Sequence, residues 1–136
     1  KLTSQVALVL EVFKSNIIGI TGSKGKSTTT SLIYQILKEQ GKSTYLLGNI
    51  GIPIFDYIDQ FKEDDYLVIE MAALQLQYVK HSPHISILLN LYEEHLDFFG
   101  NMKDYYDAKL NIFKYQDEND YAIYNCDNFK SLPISN

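Results

Sequence analysis

A chain of 136 residues with 46% apolar and 21% charged side chains can hold one globular domain with its own core, and no more than one. Its formal charge of -5 argues against a general nucleic-acid binder, which would carry a basic face, and its one cysteine, Cys126, rules out an internal disulfide framework and a multi-thiolate zinc site. The longest apolar runs, residues 6–10 and 85–89, are too short to span a bilayer as helices, and no small-residue cleavage site follows the first. A cytoplasmic protein without a nucleic-acid or membrane partner is therefore expected, and a monomer is expected besides. Because the chain opens on Lys1 and closes on the polar run 131–136, an excised piece of a longer protein is also expected.

In chain order, Thr3 or Ser4 can cap a short amphipathic helix that runs to Phe13. Residues 16–21 (NIIGIT) form a compact β-branched run typical of a buried strand. Glycines and polar residues follow at once. Residues 31–40 (SLIYQILKEQ) then place Leu32, Ile33, Ile36 and Leu37 at helical spacing, and Gly41 supplies the stop. Residues 44–47 read as a second strand, and the loop 48–53 (GNIGIP) introduces a short helical piece around residues 55–59. Two runs, 66–70 (YLVIE) and 85–90 (ISILLN), are largely apolar and end in a polar residue, which suits strands covered on both faces of a parallel sheet. Asn101 can cap a helix through about Tyr115, and residues 121–124 (YAIY) offer a last strand. The alternation predicts an α/β fold with a doubly wound, mostly parallel sheet and no domain boundary inside the chain.

Between the first buried strand and the following helix lies Gly22-Ser23-Lys24-Gly25-Lys26-Ser27-Thr28, the context a P-loop requires. Glycines let the backbone turn and aim N–H groups inward, while the helix N-terminus adds partial positive charge where phosphates sit. Lys26 would reach the β and γ phosphates of ATP, and the Ser27 hydroxyl would ligate magnesium. The strict Walker spacing puts its first glycine at position 20, where this chain has Ile20. An ordinary glycine turn before a lysine-rich helix start is the alternative.

Ligands of open α/β sheets bind beyond the carboxyl ends of the strands, and Glu70, Asn90 and Asn49 all fall there. Glu70 is placed to hold magnesium opposite Ser27, the alternative being a solvated strand end. His95, within residues 90–97 (NLYEEHLD), should face the ligand side unless it is a structural loop histidine. His81 and His84 receive no function. On the last helix Met102, Tyr105, Tyr106, Ile112 and Phe113 form one apolar stripe with Lys109 in its middle. Burying an ammonium costs several kcal/mol, so Lys109 either snorkels to solvent or is deprotonated or modified for use near the site.

The runs ITGSKGKSTTT (20–30), GNIGIP (48–53), EMAALQLQ (70–77), NLYEEHLD (90–97) and AKLNIF (108–113) resemble the Mur ligases, in the family's order and over nearly the whole chain. The resemblance implies that residues 1–136 are an incomplete central ATP-binding domain, without the nucleotide-sugar domain before it or the amino-acid-binding domain after it. It also implies an ADP-forming carboxylate-amine ligase of peptidoglycan synthesis that works through an acyl phosphate, although the piece alone should be inactive. Residues 2–4 (LTS), the GSKGKS form of the loop and Gln75-Leu76 resemble the branch that adds D-glutamate to UDP-N-acetylmuramoyl-L-alanine. Another Mur-type or folylpolyglutamate-type ligase, or a non-catalytic nucleotide-binding module, remains open.

Residue by residue, the resemblance puts Lys26 on the phosphates within the cradle of residues 22–28, and Ser27 and Glu70 on a first magnesium. It puts His95 and a carbamylated Lys109 on a second ion, makes Lys26, His95 and Lys109 catalytic, and has Asn49 and Gln75 contact the muramoyl substrate. Ala72, Ala73 and Leu74 depart from the branch, which usually has serines and a phenylalanine there. That departure leaves the identity of the substrate open.

Overall fold

Five buried residues in a row, Ile17–Thr21, make β1, the strand about which the fold is arranged. The computed structural model describes residues 2–13, 16–92 and 100–128. In it β1 is the middle strand of a five-stranded, all-parallel sheet with β2 (Thr44–Gly48), β3 (Tyr66–Glu70), β4 (Ile85–Leu88) and β5 (Tyr121–Tyr124), in the order β2-β3-β1-β4-β5. With β3 on one side of β1 and β4 on the other, the segments that follow all three strands meet at one edge. Ile20 lies opposite Glu70, and Thr21 lies opposite Leu88.

Alternate residues of the strands divide the core into two layers. Ile18, Ile20 and Val68 face α2 (Lys26–Glu39), whose Ile33 and Leu37 pack on them. Ile17, Leu67 and Ile69 face the opposite layer, where α1 (Gln5–Phe13) contributes Val6, Val9 and Leu10. Leu76 of α4 (Ala73–Leu76) and Ile112 of α5 (Met102–Lys114) belong to that layer as well. Each aliphatic side chain so covered contributes about 1.5–3 kcal/mol to folding. A short α3 (Ile54–Tyr57) and a 3-10 turn (Ile58–Gln60) lie between β2 and β3. The expected doubly wound parallel sheet is what forms, and no described helix is long and apolar enough to cross a membrane.

Two helix starts follow from short polar side chains that accept the first N–H groups. The Ser4 hydroxyl accepts from the Ala7 N–H at 3.0 Å, and Asn101 Oδ1 accepts from the Asp104 N–H at 2.9 Å. The far end of α5 is tied to the sheet by buried Ser86 of β4, which donates to the Ile112 carbonyl at 2.9 Å and lies 3.1 Å from Gln116 Nε2.

Three elements differ from expectation. Helix α2 begins at Lys26 rather than near Ser31, because its first turn is polar and shows no apolar period. Strand β4 ends at Leu88 rather than Asn90, although the Leu89 N–H still bonds to the Thr21 carbonyl at 3.0 Å. The single turn α4 has too few residues to display a period. On α2 only half of the apolar stripe packs, since Leu32 and Ile36 remain exposed.

Candidate functional site

The chain leaves β1 at Thr21 and turns into α2 through residues 22–25. Gly25, with φ +85, caps α2 in the left-handed conformation that a side chain disfavours, and so swings the first turn of the helix over the end of the strand. Ile20 is fully buried inside β1, which explains why the strict Walker position is not a glycine. The loop proper starts only at Gly22.

Asn90, just past β4, occupies the two loop amides that follow Gly22, those of Ser23 and Lys24. Its Oδ1 accepts from the N–H groups of Ser23 and Lys24 at 2.9 Å each, and its backbone carbonyl accepts from Ser23 at 3.1 Å. Asn90 Nδ2 in turn donates to the Lys24 carbonyl at 2.9 Å. By contrast, the N–H groups of Gly25, Lys26, Ser27 and Thr28 have no protein acceptor among the described residues. They sit at the positive end of α2, an arrangement that binds anions.

Beside this cradle the Ser27 hydroxyl donates to Glu70 Oε2 at 2.8 Å. Glu70 is only 4% exposed and ends β3 next to β1, so the fold itself brings the hydroxyl and the carboxylate together. On its other side Gly48 ends β2 with φ +103. A Cβ there would lie 2.2 Å from the Glu70 carbonyl oxygen, so only glycine allows this approach. Two oxygen donors beside an anion cradle fit magnesium, which takes one or two protein ligands and completes its shell with phosphate and water. The described residues hold no cluster of three or more His, Cys, Asp or Glu that could cage a metal unaided.

Both lysines turn toward the loop. Lys26 Nζ donates to the carbonyls of Gly22 at 2.7 Å and Ser23 at 3.3 Å. Lys109, 2% exposed, donates to the same Gly22 carbonyl at 2.7 Å and lies 5.0 Å from the centre of the Tyr105 ring. That geometry overturns the snorkelling alternative for Lys109, because its stem runs inward to a backbone acceptor rather than outward to water. Tyr105 also reaches the loop: its hydroxyl is 2.9 Å from Ser23 Oγ, which accepts the Tyr92 N–H at 2.8 Å. The Ser23 side chain therefore points into the protein, away from the cradle.

Of the expected site residues, Gly22 to Thr28, Glu70 and Lys109 come together at one sheet edge. Asn49 follows β2 at the same edge and is exposed. Gln75, on α4, uses Oε1 to accept the Ala72 N–H at 3.0 Å, and its backbone carbonyl accepts the Ser4 hydroxyl at 3.1 Å. No hydrogen bond between described residues joins Asn49 or Gln75 to the loop. His95 lies outside the described residues.

Sequence reasoning flagged Asn90 as a polar strand end without giving it a task, and counted Tyr105 only as part of an apolar stripe. Ala73 packs with Tyr105 and Ala108 in a small apolar cluster, where a serine hydroxyl would need a buried partner. That packing gives the departure at this position a local physical reason.

The sequence profile of the Mur ligase middle domain matches residues 20–133. The chain is 43% identical over 127 residues to the UDP-N-acetylmuramoylalanine--D-glutamate ligase of Clostridium novyi (strain NT), a match covering 93% of this chain. It is 41% identical over 128 residues, 94% of its length, to the enzyme of the same name from Acetivibrio thermocellus. The chain spans 28% of the length of each of these relatives. Among solved structures, MurF ligase from Thermotoga maritima in complex with ADP aligns with a TM-score of 0.70 at 30% identity, over 93% of this chain and 32% of that one. MurF from Acinetobacter baumannii aligns with a TM-score of 0.63 at 24% identity, over 87% of this chain and 28% of that one, which speaks to the fold alone.

Proposed function

This chain belongs to the Mur ligase family, and from that premise we propose that it is the ATP-binding part of an ADP-forming ligase joining D-glutamate to UDP-N-acetylmuramoyl-L-alanine. The observation that carries the reading is the Ser27 hydroxyl on the Glu70 carboxylate at 2.8 Å, beside helix-end N–H groups without an acceptor among the described residues. The choice of amino acid rests on relatives named for D-glutamate at 41–43% identity, against 30% for the MurF ligase.

In this reading the N–H groups of residues 25–28 would cradle the phosphates of ATP, and Lys26 would leave the loop carbonyls for the β and γ phosphates. A magnesium ion held by Ser27 and Glu70 would neutralise charge as the phosphoryl group transfers. The bond from the γ phosphorus to ADP breaks, and a carboxylate oxygen of the alanyl substrate takes the phosphoryl group to give an acyl phosphate. The amine of D-glutamate attacks the acyl carbon, loses its proton and expels inorganic phosphate, leaving an amide. Lys109 as an ammonium holds the Gly22 carbonyl. Carbamylation would exchange that ammonium for a carboxylate able to serve a second magnesium together with His95, while Asn49 and Gln75 contact the muramoyl substrate.

We place the whole protein in the cytoplasm as a monomer, in the cell-wall synthesis that supports cell shape and division. Its substrates are a nucleotide, a nucleotide-linked sugar and a free amino acid, none of which requires a membrane. The test is phosphate release by the full-length protein with ATP, magnesium and UDP-N-acetylmuramoyl-L-alanine, offered a panel of amino acids. D-glutamate should stimulate release far above the others. Release with D-glutamate no greater than the blank would end this reading.

A further inference from the structure

We infer that Asn90 is a positioning residue for ATP, acting through the phosphate loop, an inference that rests on the loop's proposed role. The Lys24 peptide is gripped on both sides, its N–H by Asn90 Oδ1 and its carbonyl by Asn90 Nδ2, each at 2.9 Å. One carbonyl oxygen with two lone pairs takes two successive N–H groups, and the amine of the same amide returns a donor. Aspartate keeps the acceptors but loses the donor and sets a negative charge beside the anion cradle. Alanine offers nothing, and serine reaches less far with a single oxygen.

The clamp has a consequence for the ligand. With the amides of Ser23 and Lys24 committed to Asn90, the cradle consists of residues 25–28 alone, and Gly25 begins its left-handed turn from a fixed point. Asn90 itself is anchored where β4 runs beside β1, through the Leu89 N–H on the Thr21 carbonyl at 3.0 Å. The sheet thus sets the loop's position through one side chain. Lost clamping should raise the cost of ordering the loop around phosphate while leaving the surfaces for the other two substrates as they are.

The experiment compares the full-length wild type with Asn90→Ala and Asn90→Asp. Both variants should raise the KM for ATP about tenfold, the effect of losing one to two net hydrogen bonds. The KM values for the amino acid and the sugar nucleotide should stay within about twofold of wild type, whereas a general structural defect would move all three. An ATP KM equal to wild type, or three KM values rising together, would overturn the inference.

Amide hydrogen exchange on the nucleotide-free wild type tests the clamp without any variant. The Ser23 and Lys24 amides should exchange more slowly than those of Lys26, Ser27 and Thr28, and equal rates would refute it. A wild type that does not bind ATP would contradict the proposed function itself. ATP binding indifferent to Asn90 would contradict only the clamp.

Discussion

The Gly22 carbonyl accepts from two lysine side chains, those of Lys26 and Lys109, each at 2.7 Å. An oxygen with two lone pairs can do this, but a phosphate is a stronger partner for a lysine ammonium than a backbone carbonyl is. Lys26, on the partly open loop, is the one able to move to it, while Lys109 is held beneath by burial. Lys26→Ala should therefore abolish nucleotide binding in the complete protein, as read by calorimetry. Lys109→Met removes the side-chain donor to the Gly22 carbonyl and should remove turnover. A Lys109→Met protein with full turnover would refute the functional assignment. Glu70→Gln keeps the shape and removes the charge, and should weaken magnesium activation at least about tenfold, measured by magnesium titration of turnover. Lys109 was visible in the sequence as a conflict between helical period and charge. Its acceptor was not, because a backbone carbonyl leaves no mark in a residue pattern.

At the level of elements, the close pass of β2 by Glu70 depends on Gly48. Gly48→Ala should cost at least about 2 kcal/mol in urea unfolding, since a left-handed φ and a Cβ set against the Glu70 carbonyl both oppose it. The strain falls on the backbone of the residue that meets Ser27, so magnesium activation should weaken in the same variant. Strands β1 and β3 were legible because both their faces are largely buried and their apolar runs are nearly unbroken, and β4 because its short run is apolar apart from Ser86. The start of α2 was hidden for the opposite reason: its first five residues, KSTTT, carry no apolar residue, and Lys26 to Thr28 lie at the proposed phosphate site. The polar segment that concealed the helix boundary is the part that makes the candidate site.

For the molecule as a whole, the order β2-β3-β1-β4-β5 gathers the loop, Glu70 and Asn90 at one edge, although they lie far apart in sequence. Parallel architecture could be read from the alternation of strand and helix. The adjacency of β3 and β1, which joins Ser27 to Glu70, is a long-range pairing that no local pattern encodes. The 28% of each D-glutamate ligase that this chain spans covers the proposed ATP-activating half of the chemistry, so residues 1–136 alone should show no turnover. The central claim is that ATP bound here activates a carboxylate. Its most direct test gives the full-length protein UDP-N-acetylmuramoyl-L-alanine labelled with oxygen-18 in the alanyl carboxylate, together with ATP, magnesium and D-glutamate, and weighs the released phosphate. Transfer through an acyl phosphate predicts one labelled oxygen in each phosphate released, whereas amide formation with unlabelled phosphate would contradict the account.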